Sequence, residues 1–108
     1  MELTPQQISI LERLRGRGFE IVAFPMYASH VGVRKGNCAA LLAPGASGGF
    51  TLFAAPSYLI AGNLSVRVTR DGREWFIWKK DKLEATTPRL AEVKSFKEEL
   101  SAVLLLTL

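Results

Sequence analysis

The side chains best suited to chemistry are few in this sequence of 108 residues, which has one cysteine, Cys38, and one histidine, His30. A cysteine and a histidine that meet in a fold can act as nucleophile and general base. Cys38, however, lies in an apolar segment typical of a strand, where a small thiol packs as a hydrophobic residue. We therefore predict no catalytic residue.

Metal ligands are also missing at the spacings that a binding site requires. His30 has no histidine, cysteine or aspartate near it at ligand spacing. Asp71 and Asp81 fall in positions typical of turns and loops, where aspartate is common for conformational reasons. We expect neither a metal nor another cofactor.

A glycine-rich segment, PGASGG at residues 44–49, could present backbone N–H groups to an anion. A phosphate-binding loop of the P-loop type opens a helix and has a lysine close by. This segment instead precedes FTLFA, which is a strand pattern. The sequence therefore favours a mobile hairpin connection over an anion site.

The strongest binding signal combines basic and aromatic residues within residues 64–80. Aromatic rings can stack on the bases of single-stranded nucleic acid while cations bind its phosphates, with about 1–3 kcal/mol per stacked base. Aromatic residues and arginine are also enriched in protein interfaces. The candidate binding surface consists of Arg67, Arg70, Arg73, Phe76, Trp78 and Lys80.

These side chains are positioned by a predicted β-hairpin. Asp71 and Gly72 form its turn, because a tight hairpin turn needs positive φ at both central positions. A two-residue turn places four apolar residues on one face, which we expect to be core: Val66, Val68, Trp75 and Ile77. The opposite face carries Phe76 and Trp78. It is either an exposed binding surface or, as the usual burial of tryptophan favours, a face covered by a helix.

Two amphipathic helices flank the strands. Thr4 and Pro5 predict a capped start, and apolar residues at a spacing of three predict a helix over residues 5–15. Thr87 and Pro88 repeat this pattern before an apolar stripe that predicts the second helix. Besides the hairpin, strands are predicted at residues 19–24, 31–35, 38–43 and 50–54, a strand or buried crossing at 57–63, and a polar linker at 81–86.

Short strands joined by tight turns form an antiparallel meander. We therefore predict a single α+β domain over residues 1–108. Five to six short strands are flanked by an N-terminal and a C-terminal helix, which pack on one face of the sheet.

Composition excludes several classes of protein. A hydrophobic content of 48% with 22% charged residues is typical of a globular domain and excludes a disordered chain. The net charge of +4 permits contact with acidic surfaces without requiring it. The lone cysteine excludes an intramolecular disulfide, and we find neither a signal peptide nor an apolar segment of membrane-spanning length. We expect a cytoplasmic protein without membrane contact.

Together these observations predict a small, non-catalytic binding or assembly module that engages a protein partner. The partner could be a second copy of the chain in a homodimer, because residues 104–108 have more apolar surface than one helical stripe can bury within its own domain. The other interpretation is that this tail packs into the core of its own domain. The alternative function is sequence-tolerant binding of single-stranded nucleic acid through the basic–aromatic face of the hairpin.

Overall fold

The computed structural model describes residues 3–24, 27 and 29–106, which form two helices and eight strands. Helix α1 spans Pro5–Gly16 and helix α2 spans Thr87–Leu106. The strands are β1 Glu20–Val22, β2 Val31–Lys35, β3 Cys38–Pro44, β4 Phe50–Ile60, β5 Asn63–Leu64, β6 Val66–Arg70, β7 Arg73–Trp78 and β8 Asp81–Glu84. The predicted α+β class is confirmed.

The strands form two antiparallel sheets, a first sheet in the order β1-β2-β3-β4-β5 and a second sheet in the order β6-β7-β8. Two segments differ from the prediction. Residues 57–60 continue the strand that begins at Phe50, so β4 has 11 residues. Residues 81–84, predicted as a polar linker, form β8, because their backbone pairs with β7 from Trp78↔Asp81 to Trp75↔Glu84.

The core lies between one face of the first sheet and the two helices. Alternate residues of β2 and β3 face this core, as expected for strands with one buried side. Helix α1 contributes Ile10 and Leu14, and helix α2 contributes residues spaced at three and four. The α2 residues buried in the core are Phe96, Leu100 and Val103.

A capping box starts helix α1 and also fixes the glycine-rich connection between β3 and β4. The Thr4 Oγ1 accepts a hydrogen bond from the Gln7 backbone N–H, and the Thr4 backbone N–H donates to Gln7 Oε1, both at 3.0 Å. Thr4 Oγ1 also donates to the Gly48 carbonyl at 2.6 Å, and Gln7 Nε2 donates to the Gly49 carbonyl at 3.1 Å. The segment thus connects two antiparallel strands, as predicted; the hydrogen bonds that tie it to α1 were not part of the prediction, which described a mobile connection.

Neither helix in the described part of the chain is long and apolar enough to cross a membrane. Of the predicted apolar tail, Leu104 packs against the core, while residues 107 and 108 lie outside the described residues.

Candidate functional site

The predicted hairpin forms with the predicted register. Val66 pairs with Ile77, Val68 with Trp75, and Arg70 with Arg73 across a two-residue turn. Both turn residues have positive φ, 53° at Asp71 and 74° at Gly72, as a tight hairpin turn requires. The turn chemistry therefore determines which side chains share a face.

The prediction that the face with Val66, Val68, Trp75 and Ile77 is core was wrong, and of the two interpretations of the opposite face the covered one holds at Phe76. Phe76 is 0% exposed, and its ring stacks on that of Tyr58 in β4, with centroids 5.1 Å apart and an interplanar angle of 15°. Val66, predicted as core, is 64% exposed. The reason is that β4 covers the Phe76 side of the hairpin. Phe76 is a core residue and cannot belong to an exposed binding surface.

The other five predicted site residues occupy different environments. Arg70, Arg73 and Lys80 are exposed. Arg67 is exposed as well, but its Nε donates to Glu74 Oε1 at 2.9 Å, and Nη2 pairs with the same oxygen. Trp78 is half-buried, with the Lys79 Nζ 5.3 Å from its ring centroid. The structure therefore does not gather the six predicted residues around one aromatic centre.

An apolar patch lies instead on the side of the second sheet that points away from β4. We call it the outward face; it consists of Val66, Val68, Trp75 and Ile77. Trp75 lies at the centre of the outward face and is half-buried. The Lys82 Nζ lies 4.9 Å from the Trp75 ring centroid. Strand register places four charged residues around this patch: Arg70, Arg73, Lys82 and Glu84.

Sequence reasoning missed a groove of about 630 Å³ that opens beside Val66. We call it the β4–β6 groove. Residues 54–57 of β4 form one wall, and residues 64–67, which lead into and begin β6, form the other. Helix α2 forms the floor with Leu90, Val93, Lys94 and Lys97, and Tyr27 lies at the margin.

The groove exists because β4 and β6 diverge. β5 pairs with β4 only at Leu59↔Leu64 and Ile60↔Asn63. The last main-chain hydrogen bond before the divergence joins the Ser65 N–H to the Tyr58 carbonyl at 3.2 Å. Ser65 Oγ donates to the same carbonyl at 2.6 Å and lies 2.9 Å from Ser57 Oγ, so buried serines close the narrow end of the groove.

Cys38 has the environment of a structural thiol. It is 0% exposed, and its Sγ lies 4.0 Å from Glu92 Oε2. Burial, followed by the nearby Glu92 carboxylate, raises the pKa of Cys38 to about 12. The thiol is therefore protonated at neutral pH, whereas a nucleophilic cysteine reacts as the thiolate.

Tyr58 belongs to the same cluster, because its hydroxyl donates to Glu92 Oε1 at 2.5 Å. Burial is the main cause that raises the pKa of Tyr58 to about 12, with the hydrogen bond to Glu92 next. Tyr58 thus links the two sheets through Phe76 and tethers α2 through Glu92.

His30, the other residue considered for chemistry, packs among aromatic rings. Its ring centroid lies 4.0 Å from that of Phe53 and 6.1 Å from that of Tyr27. Its buried Nδ1 has no hydrogen-bond partner among the described residues. Across the described ranges, no three histidine, cysteine, aspartate or glutamate side chains come together in a way that could hold a metal ion.

Comparison with known proteins found no matching family model, no matching curated protein and no matching solved structure.

Proposed function

We propose that this chain is a small, non-catalytic module that binds a protein partner through the outward face of its second sheet. The observation that supports this most is the 64% exposure of Val66 within an apolar patch centred on Trp75. Contiguous apolar surface of this kind often marks an interaction site. An aromatic centre with arginine at the rim is the composition typical of residues that dominate binding energy.

The charges around the patch favour a partner other than a second copy of the chain. Three of the four charged rim residues, Arg70, Arg73 and Lys82, are basic, and one, Glu84, is acidic. A second copy would bring the same excess of positive charge to the interface, and like charges facing each other weaken association. We therefore infer an acidic protein as the partner. The lone, buried Cys38 fits a reducing compartment, and we place the complex in the cytoplasm.

Quantitative affinity capture from the source cells tests this proposal, with Val66→Lys as the variant and Ile8→Lys as its matched control. Ile8 is 44% exposed on α1, so the control makes the same chemical change away from the outward face. We expect a partner that the wild-type chain and Ile8→Lys retain and that Val66→Lys loses. Equal capture by all three chains would contradict the proposal.

Self-association is measured on the same three purified proteins by analytical ultracentrifugation. A dimer that Val66→Lys dissociates and Ile8→Lys does not would show that the partner is a second copy. In that case the charge argument for an acidic partner would be wrong, while the proposed surface would stand.

A second candidate function is binding of single-stranded nucleic acid. The observation that favours it is the position of Trp75, half-buried on the outward face between Lys82 and the Arg70–Arg73 pair. In this candidate function Trp75 would take the stacking role that the sequence suggested for Phe76 and Trp78. Because counterions are released when cations bind phosphates, affinity for a 20-nucleotide oligothymidylate should fall steeply between 50 and about 200 mM salt. Fluorescence anisotropy measures this affinity, and an unchanged value would exclude this function.

A further inference from the structure

We propose that the β4–β6 groove binds an extended, acidic segment of the partner by strand addition. This inference rests on the proposed function, because it also needs a protein partner, and it identifies the chemistry of that partner. The groove and the outward face meet at Val66, which lines the groove and belongs to the apolar patch. One bound protein can therefore occupy both.

Both walls of the groove are strand edges. β3 pairs with one side of β4 from Phe50 to Tyr58, while β5 reaches only Leu59 and Ile60 on the other side. β6 is the end strand of the second sheet and pairs with β7 on one side. Leu64 and Ser65 are already bonded to β4, but beyond them no strand among the described residues pairs with the groove-facing edges of residues 54–56 and 66–67. Exposed strand edges are templates for an added strand, whose main-chain groups supply the missing hydrogen bonds.

The dimensions of the groove suit a short extended peptide. Each wall has four residues, 54–57 and 64–67. At the closed end Leu64 pairs with Leu59 and the Ser65 N–H is bonded to the Tyr58 carbonyl, so the open part lies between residues 54–56 and 66–67. At about 3.3 Å per residue this part is about 7–10 Å long, and a segment of about two to three extended residues would fill it. Because side chains alternate in a strand, every second residue of that segment would point at the floor.

The α2 residues that line the groove indicate which side chains of a bound segment would fit. Leu90 and Val93 are half-buried and offer apolar surface to the residues that point inward. Lys94 and Lys97 follow them by four residues, so they lie on the same side of α2, one turn further along. Both lysines are exposed, and within the described residues neither forms an ion pair. Unpaired cations at the rim favour carboxylates in the bound segment.

A long-chain fatty acid would satisfy part of the same site. Its chain could lie on Leu90 and Val93, with its carboxylate near a lysine. It would leave the groove-facing main-chain groups of residues 54–56 and 66–67 without hydrogen-bond partners, however, which is costly when the groove is filled. Pro56, which lacks an N–H, lies at the irregular pairing between β3 and β4. Because Pro56 cannot donate a main-chain hydrogen bond to an added strand, β4 alone pairs weakly with most segments. Recognition of the bound segment therefore also depends on the β6 wall and on the two lysines.

Selection of random 12-residue peptides displayed on phage tests this inference on the intact chain. We expect the enriched peptides to alternate apolar and acidic residues. Their affinity for the double variant Lys94→Glu, Lys97→Glu should be at least about tenfold lower than for the wild type. The matched control, Lys79→Glu with Lys80→Glu, makes the same charge change outside the groove and should alter affinity less than about twofold.

Amide hydrogen exchange on the peptide complex locates the contact. Slower exchange at residues 54, 55, 66 and 67 is expected if the peptide pairs with both edges. The inference fails if no peptide is enriched, if the enriched peptides bind both double variants equally, or if oleate rather than a peptide protects these residues. If the cellular partner is lost with Val66→Lys but captured normally by Lys94→Glu, Lys97→Glu, the inference fails while the proposed function stands.

Discussion

Replacing Phe76 by alanine tests the orientation of the hairpin, on which the outward face depends. Phe76 is 0% exposed and stacked on Tyr58, whereas Val66 on the neighbouring strand is 64% exposed. Burial of a phenylalanine side chain contributes about 1.5–3 kcal/mol. The aromatic pair adds about 0.5–1.5 kcal/mol. With the cavity that remains, Phe76→Ala should lower the free energy of unfolding by about 3–5 kcal/mol.

Urea unfolding followed by circular dichroism measures this loss. For a slope of about 1.5 kcal/mol per molar urea, Phe76→Ala should lower the unfolding midpoint by about 2–3 M. Val66→Ala, on the opposite face, should change the free energy of unfolding by no more than about 0.5 kcal/mol. If Phe76→Ala does not fold, Phe76→Leu gives the same comparison with a smaller loss. A larger loss for Val66→Ala than for the Phe76 variants would refute the orientation.

Two further predictions concern the first sheet. Because burial raises the pKa of Cys38 from 9.0 and of Tyr58 from 10.0 to about 12, the unfolded chain releases these protons at lower pH than the folded chain. Stability should therefore be independent of these groups below about pH 9 and fall between pH 9 and about 12, by up to about 4 kcal/mol through Cys38. Urea midpoints measured up to pH 11 should fall less for Cys38→Ala than for the wild type, and identical slopes would contradict the assignment. Gly32→Ala should destabilise by at least about 2 kcal/mol in the same assay, because the added Cβ would lie 2.6 Å from the Val22 carbonyl oxygen; wild-type stability would contradict that close approach.

Local chemistry explains which parts of the fold could be predicted. Asp71 and Gly72 are residue types that adopt positive φ readily, so the turn forms where the sequence predicts it. The register of β6 and β7 then follows from the two-residue length of that turn. The start of α1 follows from Thr4, whose hydroxyl accepts from the Gln7 N–H. Such features depend on neighbours in sequence, so the sequence was sufficient for them.

The burial of the hairpin faces depends on a contact distant in sequence. Both faces carry large apolar residues, so alternation alone could not tell which one would be covered. The stacking of Phe76 on Tyr58 decides it, and these residues are paired only through the arrangement of the two sheets. The polar residues 81–84 likewise became a strand because β7 offered a free edge, against their low intrinsic preference for strands.

The groove was beyond sequence reasoning for the same reason. It results from the divergence of β4 and β6 after Ser65, which no local pattern specifies. One signal was present in the sequence: Lys94 and Lys97 follow Leu90 and Val93 at helical spacing, which places cations and apolar residues on one side of α2. A basic and apolar helix face of this kind is worth examining as a binding surface in similar small domains.

Site-specific photocrosslinking in the cells that express this chain tests its proposed role most directly. The photoreactive residue benzoylphenylalanine is placed at position 66 on the outward face or, as a control, at position 8 on α1. We predict a discrete crosslinked protein, with acidic residues at the attached segment, from position 66 and not from position 8. No crosslinked protein at position 66, or the same products from both positions, would contradict the proposal that this surface binds a protein partner.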